Sequence, residues 1–313
     1  MSLASAEGDS SSRRTKVVYV VGAGRSGSTI LGVALGNCAD VFFAGELDKW
    51  LSRSGEPKLK DAARVTFWSD VRARVVEPDA LFDGRVHRYI ERSSALFRRR
   101  RRSIRRGLLA PYRRITGELY AAVAASAGTS YVVDTSHYPL RARELQAVEG
   151  IELYLLLLVR DPRDVVASFA KDDVVERQFN PVTTRAYLLL TYVLSSWVFL
   201  RHPRERRLLI RYEDLIEDPQ GTLRELLDRL GSAAAVPDLE ALATGTPLHG
   251  NRLLANDVVS LKRRRAEPSA DRLAGRLFAR LLLGAIGRLR PRVTPRSARA
   301  GSRLRSRDGA QVR

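Results

Sequence analysis

Four short runs in this chain are almost wholly apolar and rich in β-branched or leucine residues: VVYVV at 17–21, YVVD at 131–134, LYLLLLV at 153–159 and LLIRY at 208–212. A strand that is apolar on both faces is one buried between two layers, as in a parallel sheet covered on each side. Between these runs, apolar positions recur at helical spacing over 140–148, 164–171, 184–200 and 219–230. Asp218-Pro219 opens the last of them with an acidic cap and a proline in the first turn. Strands alternating with helices predict an α/β fold, a parallel sheet flanked by helices on both faces. The stretch 50–125 breaks this rhythm, being charged, helix-prone and poor in strands, and reads as a helical insertion.

The expected organisation is a disordered tail over 1–16, an α/β domain over 17–270 and a basic C-terminal helix and tail over 271–313. The 313 residues and their 44% hydrophobic content suffice for one large core and exclude a wholly disordered chain. Cys38 is the only cysteine, which excludes a disulfide scaffold and fits a reducing compartment. The longest uncharged helical stretch, Tyr187 to Leu200, is shorter than the roughly 20 residues a bilayer requires. A cytoplasmic protein without a transmembrane helix is expected.

The net charge of +19 is concentrated in two places. Residues 98–114 hold nine arginines and no acid, and residues 262–313 hold sixteen Lys and Arg against three acids. The rest of the chain is close to neutral, so an acidic partner would meet basic attachments on a neutral core. Arg272, Arg276, Arg280 and Arg288 share roughly one side of a helix over 272–290, and Leu273, Leu277, Phe278, Leu281, Leu282, Ile286 and Leu289 supply an apolar side. Such a helix either lies on an anionic membrane as a peripheral contact or packs its apolar side on the domain.

The first run leads directly into Gly22-Ala23-Gly24-Arg25-Ser26-Gly27-Ser28-Thr29 and then an apolar helix. This has the spacing and context of a phosphate-binding P-loop, G-x-x-x-x-G-K-[ST], with Ser28 in place of the lysine. Glycines let backbone N–H groups close round an anion at a helix N-terminus, so anion binding survives. The lysine that serves the β/γ-phosphates is gone, which points to a short phosphate chain held by Arg25, Ser28 and Thr29. The third run ends in Arg160-Asp161-Pro162-Arg163-Asp164-Val165-Val166-Ala167-Ser168-Phe169. An arginine at a strand's C-terminal edge stands where open α/β sheets bind ligands.

Together the two motifs resemble the sulfotransferases that use 3′-phosphoadenosine 5′-phosphosulfate (PAPS), in their bacterial and tyrosyl-protein-like branch. The resemblance implies that the first loop (Gly24, Arg25, Ser26, Gly27, Ser28, Thr29) holds the 5′-phosphosulfate. It implies that Arg160 and Ser168 hold the 3′-phosphate. Arg211-Tyr212-Glu213-Asp214 is similar to the family's Tyr-Glu-Asp element, placing Tyr212 near the adenine. His249-Gly250-Asn251-Arg252 is similar to a late element that closes over the 3′-phosphate through an arginine, here Arg252, with Leu254 where that arginine is expected. Asp134-Thr135-Ser136-His137 stands where Asp-Ser-Ser-Lys is common, so a histidine takes the lysine's position.

The implied reaction is direct in-line transfer of a sulfuryl group to the hydroxyl of a sugar, lipid, phenol or tyrosine. It needs a base, alignment and charge neutralisation, and no metal. The resemblance makes Glu46, in Gly45-Glu46-Leu47, the candidate base. His137 is the alternative base, or the donor to the leaving oxygen in the family lysine's place. Arg25 is the candidate for charge stabilisation. His87 and His202 lie in no motif and are expected at the surface. Two other readings compete: a P-loop kinase or NTPase, and a basic module for membranes or nucleic acid. The lost lysine counts against the first, and the lack of aromatics among the arginines against the second.

Overall fold

A computed structural model describes residues 14–76, 85–93, 99–169 and 181–263, together with Arg280, Gly284 and Ile286. Five strands form one parallel sheet: β1 (Thr15–Gly22), β2 (Val41–Gly45), β3 (Tyr131–His137), β4 (Ile151–Val159) and β5 (Arg207–Arg211). Their order is β2-β3-β1-β4-β5. β1 is central, paired with β3 and β4 along most of its length, and Val17 through Val21 are buried. That is why its sequence does not alternate: both faces meet helices.

The helices are α1 (Ser28–Gly36), α2 (Asp48–Ser52), α3 (Ala62–Arg74), α4 (Arg99–Ala127), α5 (Pro139–Leu145), α6 (Pro162–Phe169), α7 (Pro181–Arg201), α8 (Tyr212–Glu217) and α9 (Pro219–Leu230). Leu31 and Leu35 of α1 share a core with Leu215 of α8, Leu223 and Leu227 of α9, and the sheet residues Val18, Val20, Leu156 and Leu158. The opposite face, with Val17, Tyr19, Val21, Leu155 and Leu157, gathers Tyr112 and Val123 of α4, Leu145 of α5, Val165 of α6 and Leu188 of α7. A two-stranded antiparallel ribbon, β6 (Leu242–Ala243) and β7 (Val258–Val259), follows α9.

The topology fixes where a ligand can go. The connection from β1 to β2 leaves over the α1 face, and that from β4 to β5 leaves over the α6/α7 face. Because β1 and β4 are neighbours, the loops after them diverge and open a crevice at their carboxyl ends. The first two sequence motifs are those loops.

Several elements differ from the sequence pattern. β2, with only five residues, is a strand that the apolar runs did not single out; it forms the sheet edge beside β3. β5 ends at Arg211, and Tyr212 begins α8 rather than ending the strand. The helical segment over 50–125 makes the crossover from β2 to β3, with Tyr112, Ile115, Tyr120 and Val123 of α4 buried against the sheet. Its arginines divide. Arg105 is buried, bonded to Glu144 and to the carbonyls of Tyr89 and Ile90, and Arg113 also pairs with Glu144. Arg102, Arg106 and Arg114 are exposed. His202, expected at the surface, is buried and shares a 2.9 Å hydrogen bond between its Nε2 and the Leu153 carbonyl. The last apolar turn of α7 carries it under the sheet edge, a placement no local motif announces.

No helix among the described residues is long and apolar enough to cross a membrane. Of the expected helix over 272–290 only Arg280, Gly284 and Ile286 are described, and Ile286 is buried in the core cluster that holds Leu188 and Tyr192 of α7. Arg272, Arg276, Arg288 and the tails over 1–13 and 287–313 lie outside the described residues.

Candidate active site

The loop after β1 is shaped by backbone that other residues resist. Gly27 has φ 92° and caps α1 without a side-chain hydrogen bond. A Cβ on Gly27 would fall 2.4 Å from the Tyr212 ring. Arg25 holds φ 66°, a left-handed conformation costing a non-glycine residue on the order of 1–2 kcal/mol. The N–H of Gly24 donates to the Tyr187 hydroxyl at 3.0 Å, tying the loop to α7. The first N–H groups of α1 have no carbonyl partner within the helix, and beside them stands the Arg25 guanidinium, an arrangement that suits an anion.

The second and third motifs close on this loop. Arg160, at the end of β4, donates from Nη1 to the carbonyl of Arg25 at 3.0 Å, and its guanidinium carbon lies 4.4 Å from the centre of the Tyr212 ring. Arg25 Nε in turn donates to Ser168 Oγ on α6 at 3.3 Å. Ser168 therefore engages Arg25 directly, while Arg160 engages the loop backbone. Asp161 N–H donates to Glu213 Oε1 at 2.8 Å, which locks the turn after β4 to the start of α8. Asp161 and Arg163 form a 2.6 Å ion pair within that turn. The Nε of Arg160 is buried and has no hydrogen-bond partner among the described residues. A buried, unpaired donor of this kind costs about 1–3 kcal/mol or more unless a ligand satisfies it.

Glu46 follows β2 and faces the late segment. Its Oε2 accepts from Nδ1 of His249 at 2.9 Å. The segment is clamped to the strand end: Leu248 N–H donates to Ala44 O and Glu46 N–H to His249 O, each at 3.0 Å. Gly45, with φ 79°, permits this approach, since a Cβ there would fall 2.2 Å from the His249 carbonyl oxygen. Burial pushes the Glu46 carboxyl up, but the His249 hydrogen bond and the positive charges of His137, His249 and Lys49 outweigh it and bring it down to about 2. His137, at the end of β3, has φ 55°, faces the Thr135 carbonyl with Nδ1 at 3.3 Å and stacks on Tyr138. Its Nε2 lies 3.9 Å from where a Cβ on Gly24 would sit, at the mouth of the first loop. Two strained non-glycine residues, Arg25 and His137, thus flank one another at neighbouring strand ends.

Arg252 is exposed on the short turn after Asn251. The first residue of this late element, His249, binds Glu46. No sequence motif paired those two positions, and the only available signal was a histidine beside a glycine-asparagine turn.

Beneath Glu46 lies a buried charge network. Arg141 donates to Glu91 Oε1 at 2.7 Å and to Asp134 Oδ2 at 3.2 Å. Tyr120 donates to Asp134 Oδ2 at 2.6 Å and Tyr112 to Glu91 Oε1 at 3.0 Å. The other Asp134 oxygen accepts from the N–H groups of Ser136 and Leu47 and from the Ser136 hydroxyl, and Ser136 Oγ accepts from Asp48 N–H at 2.9 Å. The network thereby fixes the turn that carries Glu46. His87, expected at the surface, is drawn in too, with side-chain N or O atoms of Asp48, His87 and Glu91 within 4.8 Å of one another. Lys49 and Arg141 balance the two carboxylates.

A glycine-rich loop and two arginines lie at the carboxyl edge of the parallel sheet, where open α/β sheets bind ligands. The model described as "Sulfotransferase family" matches residues 152–235, the stretch holding Arg160, Ser168 and Tyr212. Two solved structures share the fold. A sulfotransferase domain from the curacin biosynthetic pathway is 18% identical with a TM-score of 0.52, covering 88% of this chain and 99% of that one. The sulfotransferase domain of the Synechococcus PCC 7002 olefin synthase is 19% identical with a TM-score of 0.50, covering 86% of this chain and 94% of that one. No curated protein matches the chain. Residues 152–235 thus match the sulfotransferase family model, and the chain as a whole has the fold of sulfotransferase domains.

Proposed function

We propose that this enzyme moves a sulfuryl group from PAPS to an acceptor hydroxyl on a sugar, lipid, phenol or tyrosine. The observation that carries the donor assignment is Arg160, whose buried Nε has no hydrogen-bond partner among the described residues while the rest of its guanidinium is fixed between the Arg25 carbonyl and the Tyr212 ring. The residues present fit PAPS. Gly24, Ser26, Gly27, Ser28 and Thr29 would hold the 5′-phosphosulfate with Arg25. Arg160 would hold the 3′-phosphate with Ser168 and Arg252 nearby, and Tyr212 would lie against the adenine. When bound, PAPS supplies an activated sulfuryl group on a phosphate leaving group.

Arg25, pinned by Ser168, keeps its charge directed at the loop and steadies negative charge that grows there. His137 presents Nε2 to the same loop, where it can donate to a leaving oxygen once protonated. Glu46, after β2, is a half-buried, ionised carboxylate. The kinase reading loses further ground, because Asp134, the acid within β3 that would serve a bound Mg²⁺, is taken up by Arg141, Tyr120 and Ser136.

The test is calorimetric binding of 3′-phosphoadenosine 5′-phosphate (PAP) in EDTA, followed by an acceptor screen with ³⁵S-labelled PAPS. Wild type binds PAP, and Arg160→Ala weakens it by roughly 10- to 150-fold, the loss of about 1.5–3 kcal/mol expected for hydrogen bonds to a charged group. Equal binding of adenosine 5′-phosphosulfate, which lacks the 3′-phosphate, would refute the role given to Arg160 and Ser168.

A further inference from the structure

Accepting PAPS-dependent transfer to a hydroxyl, we infer that the acceptor's proton is taken by Nε2 of His249, with Glu46 as its positioning residue. The geometry is that of a base held by an orienting carboxylate. The Nδ1 to Oε2 distance of 2.9 Å is a charge-assisted hydrogen bond, and it fixes the neutral ring with its proton on Nδ1. The lone pair then lies on Nε2, which no hydrogen bond engages among the described residues.

The backbone keeps the pair together. Three contacts join the late segment to the end of β2: Leu248 N to Ala44 O, Glu46 N to His249 O, and the parallel bridge between Gly45 and His249. Lys58 Nζ donates to the Gly250 carbonyl and holds the far side of the segment. The two side chains are nearly equally shielded, 16% and 18% exposed. Glu46 alone is a weak candidate, since the Oε2 of its carboxylate is already engaged by Nδ1 of His249 at 2.9 Å. The charged or titratable groups facing the pair are Lys49 on α2, His137 after β3 and Lys58 before α3; Arg252 lies two residues beyond Gly250.

In the transfer, the acceptor hydroxyl gives its proton to Nε2 and its oxygen forms the new bond to sulfur. The bond from sulfur to the 5′-phosphate oxygen breaks, and its electron pair stays on that phosphate. His249 becomes an imidazolium beside the Glu46 carboxylate, so the charge created by proton transfer is neutralised within the pair.

Two measurements test this, one of them independent of turnover. The chain has only four histidines, so imidazole ¹⁵N resonances of the unliganded enzyme are assignable by single substitution. His249 should show the Nδ1-protonated tautomer in wild type and lose that preference in Glu46→Ala. In kinetics, kcat/KM should show an acid limb falling about tenfold per pH unit, as a base that must be deprotonated requires. His249→Ala should lower kcat by about 10²–10⁴-fold, keep PAP affinity within threefold, and recover activity with added imidazole. Glu46→Gln should fall less far than His249→Ala. A profile flat to pH 5, no rescue by imidazole and a dead Glu46→Gln would overturn the assignment and make Glu46 the base. Failure of wild type to bind PAP would instead count against the donor reading.

Discussion

Arg141→Met removes the guanidinium that pairs with two buried carboxylates, Asp134 and Glu91, at a site that is 1% exposed. Methionine fills similar volume, so the loss is electrostatic rather than a cavity. Removing one partner of a buried pair costs about 3–5 kcal/mol, since a charge is left uncompensated. For a domain of this size that is a fall in Tm of roughly 6–20 °C. The pH dependence carries the sign. In the native enzyme, burial pushes Glu91 up, but Arg141 and His87 hold it below the usual carboxylate range. A depressed carboxyl contributes stability above its unfolded value of about 4.3 and loses it as pH falls further. Without Arg141, burial dominates, the carboxyl rises, and protonation relieves it as pH falls through the raised value. The gap in Tm between variant and wild type should therefore be large at pH 7.5 and shrink towards pH 5. Scanning calorimetry at the two pH values measures it. A gap under 3 °C at pH 7.5, or one that widens on acidification, would refute the account of the network. Because Asp134 and Ser136 fix the turn of Leu47 and Asp48, the same variant should lose kcat while PAP affinity, set by the loops after β1 and β4, changes little.

Two further substitutions separate conformation from chemistry in the first loop. Gly27→Ala puts a Cβ 2.4 Å from the Tyr212 ring at φ 92°, and should cost about 1–3 kcal/mol in urea unfolding and weaken PAP binding at least tenfold by displacing the ring that backs Arg160. Arg25→Gly relieves a left-handed arginine and removes its guanidinium together; Tm should hold or rise by a few degrees while turnover drops about 10²–10³-fold, and retained turnover would show that Arg25 is structural.

Much of the architecture is written locally. Apolar runs without alternation mark β1 and β4 as interior strands, because a strand covered on both faces has no solvent side to record. The glycines of the first loop and the arginine after β4 are legible for a related reason: anion-binding turns need particular backbone freedom and charge at fixed offsets. β2 was not legible, since five residues give too short a period, and its strand state comes from β3 beside it. The arginine-rich start of α4 reads as an attachment in one dimension, yet Glu144 of α5 draws Arg105 into the interior.

The pairings that complete the site were decided by tertiary structure alone. Arg25 meets Ser168 across 143 residues, and Glu46 meets His249 across 203. Periodicity and turn chemistry report what a segment does with its own neighbours. Which strand ends converge depends on sheet order, and β2-β3-β1-β4-β5 follows from the faces over which the crossovers pass. That order sets the loops after β1 and β4 side by side and brings the late segment to the end of β2. The chain therefore specified the chemical groups, while the sheet determined which of them touch.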